Sequence, residues 1–418
     1  MPRQTGPIKI RKKKSGPTQK AGPTEEEGGV KPPLHGAGMD FGLKDHQKLI
    51  RETVRAFMEA EVRPNVKEWE RTEHFPAEAI AKLAEMGCCG MLMPEEWGGP
   101  GLDTISYVLM LEEVARVHTA MSTALGVTNS AVQIPLLAFG SPEQKNKYLR
   151  PLAEGKILGA FCLTEPAAGS DAAGIQTTAV RDGEIYRING TKTWVTNGSV
   201  AGIYIVFAKT DPAAGGKGIS AFLVEPGTPG FKVGRHEDKM GQRSSPSVEL
   251  NFTDCKVPVS ARVGEEGQGL KIALSALDGG RIGIAAQAVG LAQEALEESI
   301  KYAKARKAFG KAIGEFQAIQ WMLADMQTEI EAARGLVYHA AFLKDSGGKM
   351  GAAASKAKLY ASEMVNRVAA KAVQIHGSQG YSRESEVERM YRDARVITIY
   401  EGTSEVQRMI IAREILGK

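Results

Sequence analysis

The spacing of apolar residues changes twice along the chain. From about Phe41 to Leu158 it is helical, as in Asp45 to Val62, where Leu49, Val54, Phe57 and Met58 mark one face until Pro64 interrupts. Turn-rich stretches such as Trp97-Gly-Gly-Pro-Gly101 separate these segments. Between about Gly159 and Pro258 the period is two. Val248, Leu250 and Phe252 alternate with Glu249, Asn251 and Thr253, Ile203 to Ala208 and Ile219 to Val224 are β-rich runs, and Asp182-Gly183 and Asn189-Gly190 read as hairpin turns. Beyond about Gly267 the helical period returns in long seams: Ile284, Ala288, Leu291 and Ala295; Phe316, Ile319, Leu323, Met326, Ile330, Ala333 and Val337; then Ala357, Ala361, Met364, Val368 and Ala372. The pattern predicts an all-helical domain over 39–158, a compact antiparallel β domain over 159–266 and a helical bundle over 267–418, an α+β multidomain chain. A wide second seam on the bundle helices suggests self-association.

Residues 1–38 follow neither period. Pro2, Pro7, Pro17, Pro23, Pro32 and Pro33, with the basic run Arg11 to Lys14, leave little to bury, so this segment is expected to be a disordered, solvated tail. Contact of its basic run with an acidic surface is the alternative. An organelle-import peptide needs an amphipathic helix, against which the prolines argue.

The 418 residues are 43% hydrophobic and 24% charged, the balance of a soluble globular protein with a sizeable core. Basic and acidic residues number 53 and 49, a net charge of +4, which gives the body no electrostatic case for nucleic acid. Cys88, Cys89, Cys162 and Cys255 have neither metal-ligand nor disulfide-framework spacing and read as reduced packing residues. No apolar run approaches the roughly 18 residues of a membrane span, and no signal-peptide core is present. A cytoplasmic bacterial setting fits, with a mitochondrial matrix as the alternative.

The candidate chemistry sits near the C-terminus, in Ile399-Tyr-Glu-Gly-Thr-Ser-Glu-Val-Gln-Arg408. Ser404 with Gln407 reads as a capping box, so a helix is expected to begin at about Ser404, with Glu401-Gly402 in the turn before it. A carboxylate held among apolar residues loses hydration and gains basicity toward a weakly acidic C–H. Alternatively, Glu401 merely complements the helix N-terminus electrostatically.

Three separated segments are similar to one family. Cys162-Leu-Thr-Glu-Pro-Ala-Ala-Gly-Ser-Asp171, then Gln374-Ile-His-Gly-Ser-Gln-Gly-Tyr381 continuing to Arg389 and Asp393, and the Glu401 segment resemble the acyl-CoA dehydrogenases, closest to the short-chain, butyryl-type members. The likeness extends from about Phe41 to the end. It implies a helical domain, a β domain and a four-helix bundle, in the order that the periodicity gives. It also implies FAD-dependent α,β-dehydrogenation of an acyl-CoA thioester in fatty acid β-oxidation, a homotetramer built as a dimer of dimers, and electron-transferring flavoprotein as acceptor.

By that resemblance Glu401 matches the α-proton base. Some members carry the base just before the arginine that matches Arg281, where this chain has Gly280. The main-chain N–H of Glu401, with a flavin ribityl hydroxyl, would stabilise the thioester oxygen, and Gly402 would permit close approach of the thioester, besides serving as a turn residue. Phe161, Leu163, Thr164, Trp194 and Thr196 match the wall against the flavin ring; an ordinary core tryptophan is the alternative for Trp194. Ser170, Asp278 and Arg281 match CoA contacts, the alternative being a helix-start Asp with an exposed Arg. Arg306, Phe309, Gln317, Gln374, Gly377 and Ser378 match contacts that reach a neighbouring subunit's FAD, while Thr403 and Glu405 match further flavin-nucleotide contacts. Residues around Met121 to Leu137 are expected along the acyl end. The competing readings are an acyl-CoA oxidase using oxygen and a family-shaped scaffold without catalysis.

Overall fold

The computed structural model describes residues 42–417. The expected tail therefore lies outside the described residues.

Seven helices form the N-terminal layer. The first, α1 (Asp45–Phe57), runs on through a π turn (Met58–Val62) and a 3-10 turn (Arg63–Asn65) that accommodates Pro64, into α2 (Val66–Thr72). Then come α3 (Ala77–Glu85), α4 (Thr104–Val117), α5 (Thr119–Gly126), α6 (Gln133–Phe139) and α7 (Pro142–Ala153). All of α4 except Ile105 is buried, so its charges need partners. Glu112 receives Arg334 at 2.6 Å and Glu113 receives Arg55 at 2.6 Å.

The middle of the chain is a twisted sheet of β1 (Gly159–Cys162), β2 (Thr178–Asp182), β3 (Ile185–Thr196), β4 (Ile203–Lys209), β5 (Ile219–Val224), β6 (Phe231–His236), β7 (Ser247–Pro258) and β8 (Arg262–Val263). Its order is β6-β7-β3-β2-β4-β5-β8, with β1 on β4. Most pairings are antiparallel, but β1 and β4 run parallel, and Thr178 of β2 meets Lys209 of β4 in parallel. Asp182-Gly183 does close the β2–β3 hairpin, with Gly183 at φ +61. Asn189-Gly190 does not turn the chain: it sits inside β3, where the pairing with β7 slips between Ile188 and Gly190. Gly190 at φ +150 makes a bulge, and Asn189 Oδ1 accepts the Asp254 N–H at 2.8 Å, so local turn chemistry serves a strand irregularity.

The last layer is a bundle of α8 (Gly269–Ala305), α9 (Gln317–Asp345), α10 (Gly351–His376) and α12 (Ser404–Leu416), with α11 (Glu386–Arg395) beside α10 and a short hairpin, β9 (Lys307–Ala308) and β10 (Lys311–Ala312), between α8 and α9. Most of the seam positions read from periodicity are buried: Ile284, Ala288, Leu291, Ala295, Met326, Ile330, Ala333, Val337, Ala357, Ala361, Met364, Val368 and Ala372 are all under 9% exposed, whereas Phe316, Ile319 and Leu323, at the start of the α9 seam, are only half-buried. They share one core with α1 and α4, while one face of the sheet packs on α6, α7 and the start of α8. Thus α8 touches every layer, and its N-terminal half lies where the three meet. The four cysteines are free and buried. Among the described residues, no helix is long and apolar enough to cross a membrane and no cluster could hold a metal ion.

Candidate active site

Glu401 lies in the turn between α11 and α12 at φ +54, and Gly402 follows at φ +88. Two left-handed residues in succession reverse the chain and aim the Glu401 side chain back at α8. A Cβ built on Gly280 would fall 2.5 Å from Glu401 Oε2, so the carboxylate fills the space that glycine leaves. The residue as a whole is half-buried, but Oε2 is enclosed and has no hydrogen-bond partner. Burial pushes its pKa up to about 7; the nearby Arg281 and Lys358 charges pull the other way without cancelling it. Simple complementation of the α12 N-terminus does not describe a carboxylate aimed at another helix.

The cap of α12 falls one residue earlier than expected. Thr403 Oγ1 accepts the Val406 N–H at 3.3 Å, while Ser404 Oγ is buried without a partner. Gln407 turns inward instead and donates to the carbonyls of Glu401 at 3.2 Å and Gly402 at 2.9 Å. Both Thr403 and Ser404 have the right chemistry, and the left-handed pair before them sets which hydroxyl meets the helix.

On α8, Asp278 lies nine residues inside the helix and Arg281 is buried, so neither is the helix-start or exposed residue of the alternative reading. Arg281 Nη1 donates to Asp278 Oδ1 at 2.5 Å, and its Nε is buried without a partner. Asp278 lines a cleft of about 690 Å³ with Gly216, Lys217, Gly267, Leu270 and Lys271. The exposed Ser170 precedes a 3-10 turn (Ala172–Gly174) that packs at the same mouth, since a Cβ on Gly216 would touch both Leu270 and Ala173. Asp278 and the turn that follows Ser170 thus meet at one cleft, while the next residues of α8, through Gly280, face Glu401.

The second wall belongs to the sheet. A slip in the β3–β7 register between Lys192 and Val195 places Trp194 at φ +59 and leaves it 58% exposed, so it is not a core tryptophan. Phe161 packs on Phe207 at 4.9 Å, Leu163 is buried, Thr164 and Thr196 are half-buried, and Thr193 N donates to Thr164 O at 3.0 Å. Behind them stands a pair that sequence reasoning missed. Lys192, fully buried, donates to Glu165 Oε1 at 2.7 Å and Leu163 O at 3.1 Å, which pins the Leu163-Thr164-Glu165 loop. Its place in strand alternation with Tyr186 and Ile188 was the available signal.

Hydrogen bonds tie the walls together. The Tyr400 hydroxyl donates to Gln287 at 2.7 Å, Thr123 donates to Gln242 at 2.7 Å, and Asn197, next to Thr196, donates to Ala124 O at 3.0 Å.

Arg306, Phe309, Gln317, Gln374, Gly377 and Ser378 are not brought to this opening. All are exposed at the far end of the bundle, and Phe309, at the tip of the β9–β10 hairpin, is 95% exposed. Arg281 and Arg306 are separated by 25 residues of helix, roughly 38 Å at 1.5 Å per residue. Met121 and Leu136 are buried, with Leu137 half-buried.

Comparison with known proteins agrees with this architecture. Residues 44–156, 160–255 and 267–416 match the N-terminal, middle and C-terminal domains of acyl-CoA dehydrogenases. The chain belongs to the acyl-CoA dehydrogenase family. It is 47% identical to a short-chain specific acyl-CoA dehydrogenase of Clostridium acetobutylicum, over 90% of this chain and 100% of that one. Subunit CarC of the caffeyl-CoA reductase-Etf complex of Acetobacterium woodii is 48% identical over the same shares, 90% and 100%. The solved butyryl-CoA dehydrogenase of Megasphaera elsdenii superposes with a TM-score of 0.89 at 46% identity, covering 90% and 100%. This acyl-CoA dehydrogenase is thus a flavin oxidoreductase whose cofactor is FAD. The residues fit that group: an exposed, bulge-directed Trp194 and a pinned Leu163-Thr164 loop leave an aromatic face and hydroxyl groups free for a flat ring, and Glu401 Oε2 is left without a protein partner.

Proposed function

We propose that this family member removes two hydrogens from Cα and Cβ of a short-chain acyl-CoA thioester, with Glu401 as the base for the α-proton. The observation that carries the reading is Glu401 Oε2, enclosed, unpartnered and facing the glycine face of α8. Its pKa of about 7 matches a base that must take up a proton near neutrality and give it back. FAD, when bound, supplies the acceptor for the β-hydrogen.

The chain's own groups do the rest. Among the described residues, no acceptor takes the Glu401 main-chain N–H, which leaves it free to bind the thioester oxygen as charge gathers there. Gly402 lets that oxygen approach without a Cβ in the way, and Asp278 and Arg281 hold the CoA arm at the mouth. Thr164, Trp194 and Thr196 form the flavin wall, while Arg306, Phe309, Gln317, Gln374, Gly377 and Ser378 complete the cofactor site of a second copy of the chain, and Thr403 and Glu405 reach its nucleotide side. The separation along α8 supports this division, because one cofactor in one copy cannot touch both ends. A short acyl group and electron-transferring flavoprotein as acceptor are supported by the relatives' names.

The experiment is anaerobic mixing with acyl-CoA substrates of increasing chain length while flavin absorbance is followed. Butyryl-CoA should bleach the flavin fastest, and Glu401→Gln should bind FAD yet not bleach. Full-rate bleaching in that variant removes Glu401 from the chemistry; rapid peroxide formation at turnover rates would make the protein an oxidase.

A further inference from the structure

We propose that Lys358 is a positioning residue for the base: from α10 it clamps the Glu401-Gly402 turn and adds, beside Arg281, a buried positive charge that has no carboxylate in contact. The inference rests on the reading of Glu401 as base.

The geometry is specific. The Lys358 side chain is fully buried, and its Nζ donates to the Gly402 carbonyl at 2.8 Å. Among the described residues no carboxylate lies within ion-pair distance of it, unlike Lys192, which has Glu165. Gln407 donates to the same carbonyl at 2.9 Å, so the turn is held from two helices, α10 and α12. The clamp opposes a backbone that a non-glycine residue adopts reluctantly, Glu401 at φ +54.

Holding a carbonyl does not need a charge; the neutral Gln407 amide already does it. A buried ammonium without an acid partner is costly, and the chain tolerates one here beside the base. Burial pushes the Lys358 pKa down to about 8, while Glu401 raises it, and reciprocally Lys358 favours the Glu401 carboxylate. Of the other groups facing Glu401, Arg281 on α8 also favours the carboxylate, and more strongly, but it pairs with Asp278 and does not hold the turn; Tyr107 on α4 and Tyr400 beside the base are held neutral by burial, and Glu405 on α12 is negative and exposed.

The test uses the FAD-loaded enzyme. Lys358→Gln and Lys358→Met should retain flavin, with the acid limb of the kcat/KM profile moved up by on the order of one pH unit, about a tenfold loss on that limb. Lys358→Arg should return the limb to the wild-type position. A uniform fall in rate with the limb unmoved overturns the electrostatic role. Should the neutral variants fail to fold, lysine side-chain ¹³C NMR of Glu401→Gln decides: the Lys358 midpoint must fall relative to wild type, and an unchanged midpoint overturns the proposal. Failure here is distinguishable from failure of the base assignment, because only the latter leaves Glu401→Gln able to bleach the flavin.

Discussion

The carboxylate of Glu165, behind β3, and that of Glu401, against α8, are both withdrawn from water, and the chain surrounds them in opposite ways. Glu165 takes the Lys192 ammonium at 2.7 Å and the main-chain N–H groups of Gln176 at 2.5 Å and Thr177 at 3.0 Å. Burial tends to raise its pKa, yet Lys192 and these donors hold it below the usual carboxylate value. Glu401 has cations nearby but none in contact, and its Oε2 touches no donor. A saturated buried acid fixes a loop, whereas an unsaturated one keeps its lone pairs for a substrate.

That contrast can be broken experimentally, beginning with the largest effect. Glu401→Gln should lower the rate of substrate-driven flavin reduction by a factor on the order of 10⁴, read by anaerobic stopped flow. Lys192→Met strands Glu165 as a lone buried charge and should cost about 3–5 kcal/mol in denaturant unfolding, with loss of flavin. The double variant Lys192→Met/Glu165→Leu should recover most of it; no recovery would mean that the pair is not the unit.

Stability against pH separates the two acids further. The folded pKa of Glu401 is raised, so its contribution to stability is present below its unfolded value and is lost as pH rises through about 7. Glu401→Gln escapes that loss and should gain about 3 kcal/mol on wild type between pH 4 and pH 8, measured by denaturation at each pH. Smallest is Gly280→Ala, whose Cβ would sit 2.5 Å from Oε2. A carboxylate displaced by about 1 Å should cost up to on the order of 10² in kcat with flavin content unchanged.

Much of this was legible in the sequence. The two changes of period give the three layers because buried seams must repeat at 3.6 in helices and alternate in strands. Legibility ended where polar groups are used against their local habit. Asn189-Gly190 has hairpin chemistry but serves a bulge, and Ser404 has cap chemistry but yields to Thr403. Lys192 and Lys358 are lysines on inward rows, and only packing reveals that one meets an acid and the other a carbonyl. Glu401 could be singled out from its apolar neighbours, yet its partnership with Gly280 is a contact between residues far apart in sequence.

That contact also restricts how such a protein can change over generations. Position 280 and the tip of residue 401 occupy the same small volume, so an acid introduced on α8 collides with the existing one, and loss of the existing one first leaves no acid at all. The two positions are thus coupled through space: a larger side chain at 280 calls for a smaller one at 401, and substitutions at the two sites should not add.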